Sequence, residues 1–127
     1  MKTAIAILKK HRQSPRKVRL VAGLIRGKKI ADAKTALKFA VKKASSPIEK
    51  LLDSAIANAV EQKLAIEKLY VENITVDKGA TLYRSMPRAR GRSAPIRKRT
   101  SHIKITLLEK EVVPKKSKRT KNKEENK

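Results

Sequence analysis

Two segments of this chain contain no acidic residue, and their positions constrain the fold more than any other feature. Residues 1–30 carry ten Lys and Arg residues, and residues 78–104 carry nine. Residues 31–77, between them, hold seven basic and seven acidic residues and are neutral. Because like charges repel within a Debye length of about 8 Å at physiological salt, something outside the chain must supply negative charge. We expect both segments to face a polyanion.

Nucleic acid and an anionic membrane are the two polyanions to weigh for a chain of 127 residues with a formal charge of +23. No stretch approaches the roughly 20 apolar residues that span a bilayer, and Lys9 and Lys10 interrupt the apolar run near the N-terminus before it reaches signal-peptide length. The absence of cysteine excludes a disulfide framework and a cysteine-based metal site. We therefore predict a soluble cytoplasmic protein with a nucleic-acid partner and no membrane partner.

Arginine is concentrated in the second acid-free segment. Six of its nine cations are arginine, whereas only five of the other 25 cations in the chain are. The planar guanidinium group binds phosphate with two parallel hydrogen bonds and stacks on bases, which the lysine ammonium group cannot do. Residues 78–104 are therefore predicted to form a contact surface.

Apolar periodicity predicts three helices. The first has Ser14 as its N-cap and Pro15 at its first position and ends near Gly27. The second spans about Ile30 to Val41, and the third, the most regular, begins at Ser46-Pro47. Their apolar faces comprise Val18, Val21, Ala22 and Ile25 in the first helix, Ile30, Ala33, Leu37, Ala40 and Val41 in the second, and Ile48, Leu51, Leu52, Ala55, Ile56, Ala59, Val60 and Leu64 in the third.

The strand pattern surrounds these helices. Residues 3–8 are apolar on both faces of an extended chain, which favours a buried strand. Residues 69–76 alternate in two opposite phases, so a β-bulge is expected near Glu72-Asn73, and residues 103–107 alternate regularly. Helices with a small antiparallel sheet indicate the α+β class.

Residues 77–102 show almost no apolar periodicity, although loops beyond about 15 residues are uncommon in compact domains. A hairpin that continues the flanking strands would turn near Arg90-Gly91 and have arms of about 13 residues, or about 40 Å. Such an arm buries nothing of its own, so we expect it to become ordered inside a nucleic acid. We predict one domain over residues 1–112, including this hairpin, and a disordered basic tail over residues 113–127.

Several separated motifs resemble one known family, the bacterial-type large-subunit ribosomal protein twenty-two, over about residues 9–108. The motifs are Ser14, Lys17-Val18-Arg19-Leu20-Val21-Ala22, Leu24-Ile25-Arg26-Gly27-Lys28-Lys29, Leu52, Ser54-Ala55-Ile56-Ala57-Asn58-Ala59, Val76-Asp77 with Gly79, Met86-Pro87-Arg88-Ala89-Arg90-Gly91-Arg92, and Arg97-Lys98-Arg99-Thr100-Ser101-His102-Ile103. Their order and spacing match the family pattern. The Lys-rich stretch after Pro114 departs from it.

The resemblance implies three helices on a three-stranded antiparallel sheet, with a long protruding β-hairpin that lines the nascent-peptide exit tunnel of the large ribosomal subunit. It implies large-subunit ribosomal RNA, neighbouring large-subunit proteins and the nascent peptide as partners, and no homo-oligomer. The implied RNA-binding residues are Lys9, Lys10, Arg12, Arg16, Lys17, Arg19, Arg26, Lys28, Lys29, Arg84, Arg97, Lys98, Arg99 and His102. The implied hairpin tip comprises Met86, Pro87, Arg88, Ala89, Arg90, Gly91 and Arg92.

Residues with catalytic or metal-binding chemistry are scattered. His11 and His102 lie far apart in sequence, without cysteine or clustered carboxylates beside them. We therefore predict no enzyme activity, no cofactor and no metal site. Two alternative functions remain open at this point. One is a DNA-compacting or regulatory protein, although no helix-turn-helix or dimerising heptad pattern is present. The other is an enzyme acting on RNA, which would need a catalytic constellation that the sequence does not show.

Overall fold

The computed structural model describes residues 2–109 and confirms the α+β class. The predicted basic tail, residues 113–127, lies outside the described residues, and the division into one domain and a tail stays a prediction. The strands are β1 (Thr3–His11), β2 (Leu69–Lys78), β3 (Leu82–Pro87), β4 (Ser93–Lys98) and β5 (Ser101–Glu109). The helices are α1 (Pro15–Ile25), α2 (Ile30–Phe39) and α3 (Ser45–Glu61), with short 3-10 turns at Ile66–Lys68 and Ala89–Gly91.

Helix α1 buries the predicted apolar stripe, from Val18 to Ile25, against the sheet. Pro15 occupies the first turn, where its missing N–H has no intrahelical partner to lose. Ser14 stands at the N-cap position but makes no side-chain capping hydrogen bond, contrary to the expected role. The helix ends before Gly27, whose φ of 75° is readily adopted only without a side chain.

Helix α2 is shorter than predicted. It ends at Phe39, and the Ala40 N–H closes its last turn by donating to the Ala36 carbonyl. The next residue, Val41, was expected on the buried face but is 95% exposed. The apolar spacing therefore continued past the point where the chain turns towards α3, and periodicity alone does not mark such a turn.

Helix α3 packs its small residues against the small residues of β1. Ala55 and Ala59 on the helix and Ala4 on the strand are fully buried. Side chains of this size allow the helix backbone to lie close to the sheet. The Asn58 Nδ2 atom reaches the edge of the strand and donates to the Ile5 carbonyl at 2.9 Å. Val60, predicted on the apolar face, is 51% exposed.

The main sheet is antiparallel with the order β1-β5-β2, so β5 lies in the centre. The register of β2 against β5 shifts between Val71 and Asn73, which confirms the predicted bulge. All three helices lie on one face of the sheet. On β1, only the residues facing the helices are buried, whereas Ile5 and Ile7 are 41% and 54% exposed. The strand is therefore correct, but its expected burial on both faces is wrong, since no second layer covers the sheet within residues 2–109.

Strands β3 and β4 form a separate two-stranded hairpin, which lies between β2 and β5 along the chain. Between the two sheets lies an interruption, which we call the joint: residues 79–81 on one side and 99–100 on the other. The Gly79 N–H donates to the Thr100 carbonyl at 2.8 Å, and the Thr100 hydroxyl donates to the Ala80 carbonyl at 2.6 Å. Beyond the joint, β3 is exposed along its whole length.

Candidate nucleic-acid interface

The side of α1 opposite its apolar stripe is basic and exposed. Arg16, Gly23 and Arg26 all lie on the surface, opposite the buried stripe. An added Cβ at Gly23 would find nothing within 4 Å, so the glycine is not required by packing inside the protein. The bare backbone at this position leaves room for another molecule to approach the helix closely.

Two arginines of this face bind the protein's own sheet. Both the Nε and Nη2 atoms of Arg19 donate to the Val76 carbonyl, at 3.1 and 2.9 Å. The Nη2 atom of Arg26 donates to the Ile74 carbonyl at 2.7 Å. These carbonyls lie on β2, an edge strand whose outward groups have no neighbouring strand. Arg19 and Arg26 therefore close the sheet edge, and only their remaining N–H groups are available to a phosphate.

The loop after α1 covers the rest of that edge. The Gly27 N–H donates to the Val71 carbonyl at 2.8 Å, and the Val71 N–H donates to the Lys28 carbonyl at 2.9 Å. Lys29 forms an isolated antiparallel bridge with Tyr70. The backbone of this basic loop is thus fixed to the sheet while the side chains of Lys28 and Lys29 stay exposed.

The end of β1 holds a second predicted basic group, Lys9 and Lys10, in an irregular conformation. Lys10 has a φ of 55°, and the register of β1 against β5 shifts between Leu8 and His11. The Lys10 N–H donates to the Nδ1 atom of His102 at 3.0 Å. His102, predicted as an RNA contact, therefore uses one ring nitrogen to hold this bulge, and Nε2 is the ring nitrogen left for another partner.

The hairpin carries its predicted residues on strands that bury no side chain completely. Arg84 on β3 pairs with Ile96 on β4, and Arg97 pairs with Tyr83. The tip turns at the expected place: the Arg88 N–H donates to the Arg92 carbonyl at 2.8 Å. The turn requires left-handed backbone at two positions, Arg90 with a φ of 57° and Gly91 with a φ of 67°. The residues of the tip, Met86, Pro87, Arg88, Ala89, Arg90, Gly91 and Arg92, are all exposed.

Cations from both acid-free segments meet beside the start of α1. One cleft, of about 640 Å³, brings Arg12 and Lys17 together with Arg97, Lys98 and Arg99 from the returning arm of the hairpin. A second cleft, of about 370 Å³, lies on the other side of the first turn of α1. It is lined by Arg16 and Arg19 with Arg99. We call these the first and second junction clefts, and they unite residues separated by some eighty positions in the sequence.

Two further lysines complete the clefts, and sequence reasoning did not single them out. Lys43, in the connection between α2 and α3, lines the first junction cleft, and Lys78, at the end of β2, lines the second. Lys43 lies in the charge-balanced middle of the chain, so charge segregation carries no signal for it. Lys78 opens the second acid-free segment but belongs to no recognisable motif. The predicted residues Lys9, Lys10, Arg26, Lys28 and Lys29 line neither cleft.

The charges of the interface are not neutralised inside the described structure. Across residues 2–109, the single salt bridge joins Lys34 Nζ and Asp53 Oδ1, at 2.7 Å. No acidic residue lines either junction cleft. In the same range, no group of three or more His, Asp or Glu residues is placed to share a metal ion. No helix there is long and apolar enough to cross a membrane. Because its basic side chains are not neutralised within residues 2–109, this surface is suited to a polyanion.

Comparisons with known proteins agree on one family. The family model of ribosomal protein L22p/L17e matches residues 6–108. The large ribosomal subunit protein uL22 of Syntrophotalea carbinolica is 48% identical over 108 residues, which cover 84% of this chain and 98% of that protein. The uL22 protein of Deinococcus radiodurans is 49% identical over 110 residues, covering 86% and 82%. That of Desulfitobacterium hafniense is 50% identical over 111 residues, covering 87% and 97%.

Proposed function

Because the chain belongs to the ribosomal protein L22p/L17e family, we propose that its acid-free segments bind large-subunit ribosomal RNA and that its hairpin lines the nascent-peptide exit tunnel. The chain is a structural constituent of the large ribosomal subunit, where it binds ribosomal RNA and neighbouring proteins. It is a component of cytoplasmic ribosomes and is not an enzyme. The resemblance seen in the sequence is confirmed.

The exposed, arginine-rich hairpin is the feature that supports the proposed RNA binding and tunnel position. A two-stranded hairpin alone is marginally stable in water, because it has no apolar face to bury. Here none of the residues of β3 or β4 is fully buried, and the segment that contains them holds six arginines and no acid. Such an arm gains its ordering energy from an outside partner, and folded RNA supplies both the negative charge and the grooves that receive it.

The contacts with RNA are mainly to phosphate. The chain has one Phe and two Tyr residues, too few for a platform on which successive bases stack. Lysine and arginine side chains from the body and the hairpin instead neutralise the RNA backbone, and arginine planes stack on exposed bases where these occur. Arg19, Arg26 and His102 combine this with hydrogen bonds inside the protein. Binding is consequently strongly dependent on salt concentration.

The tip of the hairpin contacts the nascent peptide in this proposal, and the chain functions as a monomer within the subunit. The turn from Arg88 to Arg92 places three arginines at the far end of the arm, away from the body. An exposed, narrow and cationic tip fits the wall of a water-filled tunnel better than a packed protein interface, whose core is depleted of charged residues.

Sedimentation of a cell lysate through a sucrose gradient tests the proposed assignment. The chain should be recovered with large subunits after a moderate-salt wash, since contacts distributed over body and hairpin resist partial screening. Recovery with chromosomal DNA would instead favour the DNA-compacting alternative. Nuclease treatment with RNase should release the chain, whereas DNase should not.

Crosslinking tests the position of the tip. The chain contains no cysteine, so Ala89→Cys provides a single attachment point for a photo-crosslinker. In ribosomes carrying a stalled nascent peptide, this site should crosslink to the peptide. A matched control, Lys68→Cys on the exposed surface of the body, should not. Crosslinks from Ala89→Cys to RNA alone would contradict the tunnel assignment and leave ribosomal RNA binding intact.

A further inference from the structure

The two junction clefts adjoin each other across the start of α1. Ser14 and Arg99 line both of them. A ligand that fills one cleft therefore reaches the boundary of the other. The cations are contributed by separate parts of the chain: the β1–α1 connection, α1 itself, the α2–α3 connection, the end of β2 and the returning arm of the hairpin.

The positive charge of the cleft lining indicates which class of ligand the clefts bind. Basic side chains line both clefts, and no acidic residue within residues 2–109 lines either of them. None of those cations takes part in a salt bridge in that range. One small anion would neutralise a fraction of the charge and leave the rest in mutual repulsion. A ligand with negative charges repeated along its length neutralises cations on both sides of the helix, and an RNA backbone has this form.

The connection between hairpin and body gives the clefts a mechanical role. The ladder between β2 and β5 ends at the pair Lys78 and Ser101, and the hairpin ladder begins at Leu82 and Lys98. At the joint between them, two hydrogen bonds connect the two sides: the Gly79 N–H donates to the Thr100 carbonyl, and the Thr100 hydroxyl donates to the Ala80 carbonyl. The first cleft spans this joint from the side, with Lys43 on the body and Arg97 on β4.

We infer that one continuous stretch of RNA backbone runs through both junction clefts, past the first turn of α1, and thereby fixes the direction of the hairpin relative to the body. This rests on the proposed binding of ribosomal RNA and adds where the strand runs and what it does there. Phosphates in the first cleft bind Lys43 and Arg97 together, so the RNA connects the body to β4 beside the joint and adds to the two hydrogen bonds there. Lys78 binds the same strand in the second cleft.

Affinity measurements with deproteinised large-subunit ribosomal RNA test the contacts. Lys43→Gln and Lys78→Gln should each weaken binding several-fold and reduce the slope of log affinity against log salt by about 0.7–0.9, the effect of one phosphate contact. Lys68→Gln, an exposed lysine outside both clefts, is the matched control and should change neither quantity by as much. Equal behaviour of all three variants would overturn the inference.

Hydroxyl-radical footprinting of the same complexes tests the continuity of the strand. Protections lost with Lys43→Gln and with Lys78→Gln should fall on neighbouring nucleotides of one RNA strand. Losses on two distant segments would show that two strands meet at the junction, and the inference of a single backbone would be wrong.

Spin labels measure the direction of the hairpin. Because the chain has no cysteine, Glu67→Cys on the body and Ser93→Cys near the hairpin tip give one defined distance. Its distribution should narrow when the RNA binds, and should narrow less in a protein that also carries Lys43→Gln and Arg97→Gln, measured at saturating RNA. Equal narrowing of the distance distribution would exclude the bridging role.

The proposed function has a separate control. If the parent protein did not prefer this RNA over an unrelated RNA of equal length, the proposed function itself would fail, and the two failures are thus distinguishable.

Discussion

Gly79 occupies the joint, where a side chain has no room. A Cβ added there would overlap the Thr100 hydroxyl and lie 3.2 Å from the Nε2 atom of His102 and 3.3 Å from the backbone carbon of Thr100. Rotating the Thr100 hydroxyl away would break its hydrogen bond to the Ala80 carbonyl. We expect Gly79→Ala to lower the free energy of unfolding by about 1–3 kcal/mol, the usual cost of overpacking, in urea denaturation of the free protein.

Gly23 provides the matched comparison, because its surroundings inside the protein are open. It lies in the interior of α1, where alanine is favoured over glycine by about 0.5–1 kcal/mol. Gly23→Ala should therefore stabilise the free protein by that amount. If RNA approaches the bare backbone at this position, the same variant should bind ribosomal RNA more weakly. A stabilised variant with unchanged RNA affinity would contradict a close approach at Gly23.

Arg19 and Arg26 are expected to contribute to stability as well as to RNA binding. Removing both side chains leaves the Val76 and Ile74 carbonyls of an edge strand without their partners. At about 0.5–1.5 kcal/mol for each of the two carbonyls that loses its arginine partner, the double substitution Arg19→Ala with Arg26→Ala should cost about 1–3 kcal/mol in thermal or urea unfolding. Arg12→Ala, in the same basic segment and exposed, should leave the free energy of unfolding unchanged. A similar cost there would show that the effect does not come from the hydrogen bonds of Arg19 and Arg26.

The hairpin is the element whose removal should matter least to the free protein. Its strands lie outside the hydrophobic core, which is formed by the three helices and the faces of β1, β2 and β5 towards them. Replacing Met86–Ala94 by Asn-Gly, a pair suited to a two-residue hairpin turn, would connect Ser85 and Pro95, which already face each other. The melting temperature of the free protein should stay the same, while assembly into large subunits should suffer. A large loss of thermal stability would show that the body depends on the arm.

Charge acts on the molecule as a whole, and salt should affect its stability and its binding in opposite directions. A formal charge of +23 makes the free chain repel itself. Raising the salt from about 0.01 to 0.15 M shortens the Debye length from about 30 to about 8 Å. The melting temperature of the free protein should therefore rise over this range, whereas its affinity for ribosomal RNA should fall. A melting temperature that fell with salt would mean that attractive charge pairs dominate the folded state.

The elements of this fold follow from features that the linear sequence carries directly. Helical spacing from Val18 to Ile25, the change of phase around Glu72-Asn73 and the long aperiodic stretch that turns near Arg90 each reflect a local repeat or its absence. Local geometry dictates which residues share a face, so these predictions were confirmed. Where they failed, at Val41 and Ile7, apolar residues lie where no element within residues 2–109 covers them, and the sequence does not indicate how many layers a sheet will have.

The sequence by itself determined the three helices, the sheet with its bulge, the protruding arm and the two acid-free segments, because spacing and charge are properties of neighbouring residues. Only the tertiary structure decided which cations meet. Arg99 lies beside the start of α1, and Lys43, from the neutral middle of the chain, lines the same cleft. Arg26 donates a hydrogen bond to a carbonyl 48 positions away in the sequence. Such partners depend on how complete elements pack, and packing brings together groups whose separation along the chain carries no information about their distance in space.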